Sequence, residues 1–150
     1  MAKNKKTNVM RLLEQHDVDY IPHLWKEMSD MDRYHNYKTL VTTGKSGDHY
    51  VFVVPAHAEL DLKKAAKTVA EKNIHMLKQK DLLPLTGYVH GGCSPIGMKK
   101  TFVTVFDDSM LNYDQVSFSA GEVGKAVELN PRDVERVIAF TFAEVRTTEE

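Results

Sequence analysis

The run Thr86-Gly87-Tyr88-Val89-His90-Gly91-Gly92-Cys93-Ser94-Pro95-Ile96-Gly97-Met98-Lys99-Lys100 places four glycines and a proline between apolar, strand-like flanks. Glycine admits left-handed backbone and close approach to a ligand, and proline pins the following turn. Successive main-chain N–H groups in such a turn can hold an oxyanion or a carbonyl oxygen. The plainer alternative is a tight loop that only reverses the chain. Two other segments bear on the choice, Tyr37-Lys38-Thr39-Leu40-Val41 upstream and Ser119-Ala120-Gly121-Glu122-Val123-Gly124 downstream. Lys38 opens an apolar strand, where a solvated ammonium gains nothing from packing. In a cleft it would hold a phosphate or an acyl carbonyl as a point charge, although lysines at strand mouths are more often simple surface residues. Gly91 and Gly92, with Ser119, Ala120 and Gly121, would bring backbone close from the opposite side.

Other chemistries find less support. Cys93 near His90 invites a thiol nucleophile, which needs an adjacent base. Both lie inside one glycine-rich turn with no third residue to orient them, and a single buried cysteine usually behaves as a small hydrophobe. The seven histidines make no HExxH pattern, and one cysteine cannot supply CxxC, so no zinc site is written into the spacing. Asp107-Asp108 and Glu149-Glu150 read most simply as a helix cap and a decorated C-terminus, not as a glycosidase pair.

The elements that must carry these residues follow from periodicity and punctuation. Residues 7–16 read as an amphipathic helix with Val9, Leu12 and Leu13 on one side. Val18 to Leu24 reads as a strand, and the weakly patterned stretch 25–36, which includes Met28 and Met31, as a loop that leaves any cleft beside it open. Thr39 to Thr43 and His49 to Val54 form a hairpin around Gly44-Lys45-Ser46-Gly47-Asp48. Asp61 caps a helix over 61–70, and a shorter helical turn over 79–83 ends at Pro84. Strands are expected over 101–106, 115–118 and 126–129. Asn130-Pro131-Arg132-Asp133 opens a helix by rule, and a short strand lies within 140–146. With no repeat and no linker, the order of elements implies one α+β domain over residues 1–150, with a single sheet of six or seven short strands.

Length and charge bound the partners. One hundred and fifty residues suffice for one core, and 42% hydrophobic with 27% charged residues is ordinary for a soluble protein. No apolar run approaches the ~20 residues of a membrane span, and the basic N-terminus leads into no signal core. The lone cysteine suits a reducing cytosol. Twenty basic and 21 acidic residues leave a net charge of −1, which speaks against a DNA-binding module. Contact with the end of an RNA needs few phosphates. Lys63, Lys64, Lys67, Lys72, Lys78 and Lys80, or Lys99-Lys100, could supply a local cluster, though lysines on a helix are usually a solvated face.

Tyr37-Lys38-Thr39-Leu40, Glu59-Leu60-Asp61-Leu62-Lys63-Lys64, Thr86-Gly87-Tyr88 and the run from Gly91 to Lys100 together resemble the YbaK family of free-standing aminoacyl-tRNA deacylases. The same fold forms the editing insertion of bacterial prolyl-tRNA synthetases. The likeness spans about Asn8 to Val145. It implies an α+β domain with a mixed, mostly antiparallel sheet and packed helices. It implies trans-editing in the cytoplasm: removal of a misattached amino acid, typically cysteine, from the 3′ end of tRNA(Pro) or tRNA(Cys), without a metal or other cofactor. Lys38 matches the lysine on which activity chiefly depends. Thr39, Gly91, Gly92, Ser94, Ser119, Ala120 and Gly121 match substrate-pocket positions, and Trp25 stands where relatives carry an aromatic hydroxyl. The family chemistry needs no protein nucleophile: the enzyme is a hydrolase, or a lyase if the substrate's own thiol attacks its ester. Partners would be aminoacyl-tRNA and a prolyl- or cysteinyl-tRNA synthetase, with neither DNA nor membrane. The alternative is a non-catalytic module of the same fold that binds tRNA ends or a synthetase.

Overall fold

Thr7, in extended conformation, accepts a hydrogen bond from Met10 N–H at 3.2 Å and so starts helix α1, Asn8–Gln15. The helix presents Val9, Met10 and Leu13 to the interior. The computed structural model describes residues 5–28 and 35–148. After α1 come β1 (Ile21–Leu24), a 3₁₀ turn (Trp25–Glu27), β2 (Tyr37–Gly44) and β3 (His49–Pro55). Helix α2 (Leu62–Thr68), β4 (Ile74–Met76), helix α3 (Gln79–Thr86) and β5 (Val103–Asp107) follow. A 3₁₀ turn (Asp108–Asn112), β6 (Val116–Ser119), β7 (Lys125–Leu129), a 3₁₀ helix (Pro131–Arg136) and β8 (Thr141–Ala143) complete the order. The fold class is α+β, as the sequence implies.

The strands make two sheets rather than one. β1-β7-β6 is antiparallel throughout, and β4-β2-β3-β5-β8 is mixed, with β5 parallel to both β3 and β8. Asn36 bridges to Ser117 where the sheets meet. Val51 and Val53 on β3 face a core shared with Val9, Leu13, Phe118, Val127 and Leu129. Tyr50, Phe52 and Val54 face a second core with Ala65, Ala66 and Val145. A strand buried on both faces reads as an unbroken apolar run, which is why alternation does not reveal its sheet partners.

Several local expectations need correction. β4 is not signalled by the sequence pattern. Pro84 does not end α3 but lies inside it, and Gly87 at φ +85° closes the helix. The carbonyl that Pro84 leaves without its i+4 donor belongs to Lys80, an exposed first-turn residue. The Asn130 signal is real, since its side chain accepts from Arg132 N–H at 3.0 Å, but the helix that it starts is 3₁₀. The Met31 part of the 25–36 loop and the Glu149-Glu150 pair lie outside the described residues. Met28 is buried.

Candidate active site

β4 pairs with β2 from Thr42 to Gly44, and Leu77 N–H donates to Val41 C=O at 3.0 Å. The Tyr37–Leu40 half of that edge has no strand partner among the described residues. Backbone groups alternate sides along an antiparallel strand. Since Val41 C=O points to the β4 side, Thr39 N–H and C=O point to the same, open side. Against this edge lies a cavity of about 450 Å³. Lys38 and Thr39 come to it from β2, Leu82 from α3, Gly91 and Cys93 from the glycine-rich loop, Trp25 from the 3₁₀ turn after β1, and Ser119 and Lys125 from the two ends of the β6–β7 turn. That volume lies in the range of small-ligand sites.

Lys38 Nζ lies 3.5 Å from Glu59 Oε2, and the two side chains are 31% and 80% exposed. Its ammonium is held loosely and can exchange this partner for a ligand's charge. Glu59 is in turn fixed through its backbone: its carbonyl accepts from Thr147 N–H at 2.8 Å, and its N–H donates to Thr147 Oγ1 at 3.3 Å. Residues 145 and 146 are clamped by the fully buried Asp107, which accepts from Val145 and Arg146 N–H at 3.0 and 3.1 Å and pairs with the Arg146 guanidinium at 3.0 Å. Burial would raise the Asp107 carboxyl, but hydrogen bonds from Ser109, Val145 and Arg146 outweigh it and hold the group below the ordinary carboxylate range. Asp107 therefore caps the following 3₁₀ turn, as the helix-cap reading expects, and with Asp108, which also accepts from the Arg146 guanidinium, anchors the segment after β8.

Thr39 Oγ1 is buried and has no hydrogen-bond partner among the described residues. An orphaned hydroxyl in a cavity wall is costly unless a ligand completes it. Gly91 takes φ +89°, with room around a Cβ, so its need is conformational. Gly92 is different: a Cβ there would stand 3.0 Å from Val123 N, because the loop packs directly on the β6–β7 turn. Ser119 Oγ accepts from Gly121 N–H at 3.1 Å, and Gly124 C=O accepts from Trp25 N–H at 2.8 Å, which docks that turn on the segment after β1.

The structure brings together Lys38, Thr39, Trp25, Gly91 and Ser119 of the expected site residues. Gly92, Ser94, Ala120 and Gly121 stand behind the walls. Ser94 is fully buried and accepts from Ile96 N–H, Ala120 is fully buried, and Gly121 packs against Val9 and Tyr88. They shape the loops that carry the lining residues. Trp25 forms a wall and is 39% exposed, so it does not seal the cavity. Burial pushes the Cys93 thiol to about 12, which leaves it protonated at neutral pH and a poor nucleophile. Among the described residues no cluster of three or more His, Cys, Asp or Glu side chains has the geometry to hold a metal. Nor is any described helix long and apolar enough to cross a membrane.

Sequence reasoning misses Lys125. Its Cα pairs with Leu24 across β1 and β7, a contact between distant segments that no local pattern announces. Conversely, the lysines expected to cluster do not line this cavity. Lys64 is engaged with Glu144 and Arg146 C=O, and Lys99 with Pro84 C=O.

Residues 29–137 match the family model of the aminoacyl-tRNA editing domain. The chain is 41% identical, over 99% of its own length and 100% of the other's, to the Enterococcus faecalis protein named "Putative Cys-tRNA(Pro)/Cys-tRNA(Cys) deacylase EbsC". Among solved structures it resembles "hypothetical protein APE2540" with a TM-score of 0.81 at 19% identity, covering 94% of this chain and 100% of that one. It also resembles "a putative trans-editing enzyme for prolyl tRNA synthetase" with a TM-score of 0.75 at 20% identity, covering 96% and 100%. Those two likenesses establish the fold; the family match, over more than two-thirds of the chain, and the end-to-end relative establish kinship. The chain belongs to the aminoacyl-tRNA editing domain family.

Proposed function

We propose that this protein is a trans-acting deacylase that removes a misattached amino acid, cysteine foremost, from the 3′ end of tRNA(Pro) or tRNA(Cys) in the cytoplasm. The observation that carries the reading is the convergence on one cavity of Lys38, Thr39 and Gly91, with a buried Thr39 hydroxyl that has no partner among the described residues. The end-to-end relationship to a protein named as such a deacylase supports it.

An aminoacyl ester is already activated, so holding a near-attack geometry and stabilising charge on the carbonyl oxygen can supply most of the catalysis. Lys38 would place its positive charge where that oxygen becomes negative. Thr39, through its hydroxyl and its outward N–H and C=O, would orient the aminoacyl group. For a cysteinyl ester the substrate sulfur attacks its own carbonyl carbon and the ester C–O bond breaks. The sulfur's proton ends on the departing 3′ oxygen of the ribose, leaving a thiolactone. Water takes the place of the sulfur when the amino acid lacks a thiol. Neither route uses Cys93.

The test is release of radiolabelled amino acid from cysteinyl- and alanyl-tRNA(Pro), with and without a strong chelator. Release of cysteine ahead of alanine, unaffected by the chelator, is expected. Tight tRNA binding with no release from either would favour the non-catalytic module instead.

A further inference from the structure

A second cavity, of about 460 Å³, adjoins the first. The segment 22–27 contributes to both, Trp25 to the first and Leu24 and Glu27 to the second, and Lys125 lines both. The charged or titratable side chains on the second cavity's walls are Lys5, Lys6, Tyr20, His23, Glu27 and Lys125. Three carboxylates stand beside these walls: Glu14 pairs with Lys6 at 2.8 Å, Glu122 with Lys125 at 2.9 Å, and Glu128 with His23 at 2.7 Å. The Lys6 pair is exposed on both sides, 56% and 42%, and a pair of that kind is weak and exchanges readily. Between the charges lie apolar and aromatic surfaces from Met10, Tyr20, Pro22 and Leu24.

Basic groups spaced around an aromatic and aliphatic floor are what a single nucleic-acid strand needs, cations for its phosphates and flat surfaces for its bases. The chain's net charge of −1 offers no general attraction for RNA, so contact with a strand must rest on individual cations, and three lysines line this recess beside the reacting centre. The ester in the first cavity would be attached to a polyanion, and that polyanion must leave past some wall.

We propose that the second cavity receives the single-stranded nucleotides immediately 5′ of the esterified terminal adenosine. Their phosphates meet Lys5, Lys6 and Lys125, and a base rests on Tyr20 and Pro22. Lys125, shared by the two cavities, marks the point where the strand passes from one to the other. The inference rests on the deacylase reading of the first cavity.

The experiment compares cysteinyl-tRNA(Pro) with 3′-O-cysteinyl adenosine, the same ester without phosphates, for the wild-type protein and for Lys5→Ala/Lys6→Ala. Both lysines are exposed, so the fold is not at stake. The double variant is expected to raise KM for the tRNA about tenfold with kcat within about twofold, and the adenosine ester should be cleaved as before. Its dependence of log kcat/KM on log salt should flatten by roughly 1.4, about 0.7 for each single-strand phosphate no longer neutralised. A Lys63→Ala/Lys67→Ala control, on α2, should change neither substrate. Equal losses on both esters, or no loss on the tRNA, would overturn the proposal. So would a double variant that keeps its tRNA kinetics but no longer binds prolyl-tRNA synthetase, which would make the recess a protein-docking site. A wild-type protein that cleaves neither ester removes the deacylase reading itself, and this inference with it.

Discussion

Lys38 contributes little to the fold, because its long contact with Glu59 is screened by solvent. Lys38→Ala should therefore melt like the wild type while slowing deacylation by about 10²–10³, the usual cost of removing a charge-stabilising group. Lys38→Arg should recover little, since a planar fork does not replace a compact ammonium. Single-turnover release of labelled cysteine, beside a thermal melt, checks both; near-wild-type rates in a folded Lys38→Ala protein would displace the residue from the mechanism. Thr39→Val separates binding from stability. Removing an unpartnered buried hydroxyl should leave stability unchanged or raise it by about 1 kcal/mol, while KM rises several-fold; a drop in stability would mean that the hydroxyl has a partner in solution. Cys93→Ser should keep most of the activity, as should prolonged chelation, because the buried thiol stays protonated. Loss of turnover in a folded Cys93→Ser protein would call for a thiolate mechanism. Lys38, Thr39 and Gly91 are legible in the sequence because each sits in a short, chemically odd segment. Ser94 and Ala120 lie buried behind the walls, because loop residues adjacent in sequence divide between lining a cavity and supporting its wall.

Elements are legible where local chemistry decides them, as at Asp61 and Asn130, whose side chains cap the turns that they open. They are illegible where tertiary pairing decides. β4 is three residues held by the edge of β2, and Pro84 sits inside α3, leaving the carbonyl of the exposed Lys80 without its i+4 donor. Asp107 matters most at this scale, since its carboxylate ties β5 to the segment after β8. Asp107→Ala would strand the Arg146 charge and two backbone donors, and should cost ~3 kcal/mol in a urea titration. A folded-state carboxyl held below its unfolded value stabilises above that unfolded value, ~3.9, and the benefit fades as pH falls through the folded-state value. The wild type should thus lose stability below about pH 4, and the difference between it and Asp107→Ala should narrow there. A gap that stayed constant from pH 7 to pH 3 would contradict this account of the clamp.

At the scale of the molecule, the clamp makes Lys38 depend on residues far from it in sequence. A chain cut after residue 139 keeps every described wall of the first cavity yet loses β8 and the Asp107 partners. It should lack deacylation, and its Glu59 loop should exchange amide hydrogens faster than in the intact protein; full activity in the shortened chain would show that the clamp is dispensable. A related consequence concerns the order of synthesis. β1 has no strand partner until β7 is made, and His23 meets Glu128 at a sequence separation of 105. Contacts of such separation form slowly and leave apolar surface uncovered in the meantime. A nascent chain that has passed Trp25 and Lys38 through the ribosome therefore carries the parts of its cavity without the walls. The inner face of α1, Val9 and Leu13, must wait for Val127 and Leu129 in the last third of the message, a substrate for chaperones before it can be a reader of tRNA.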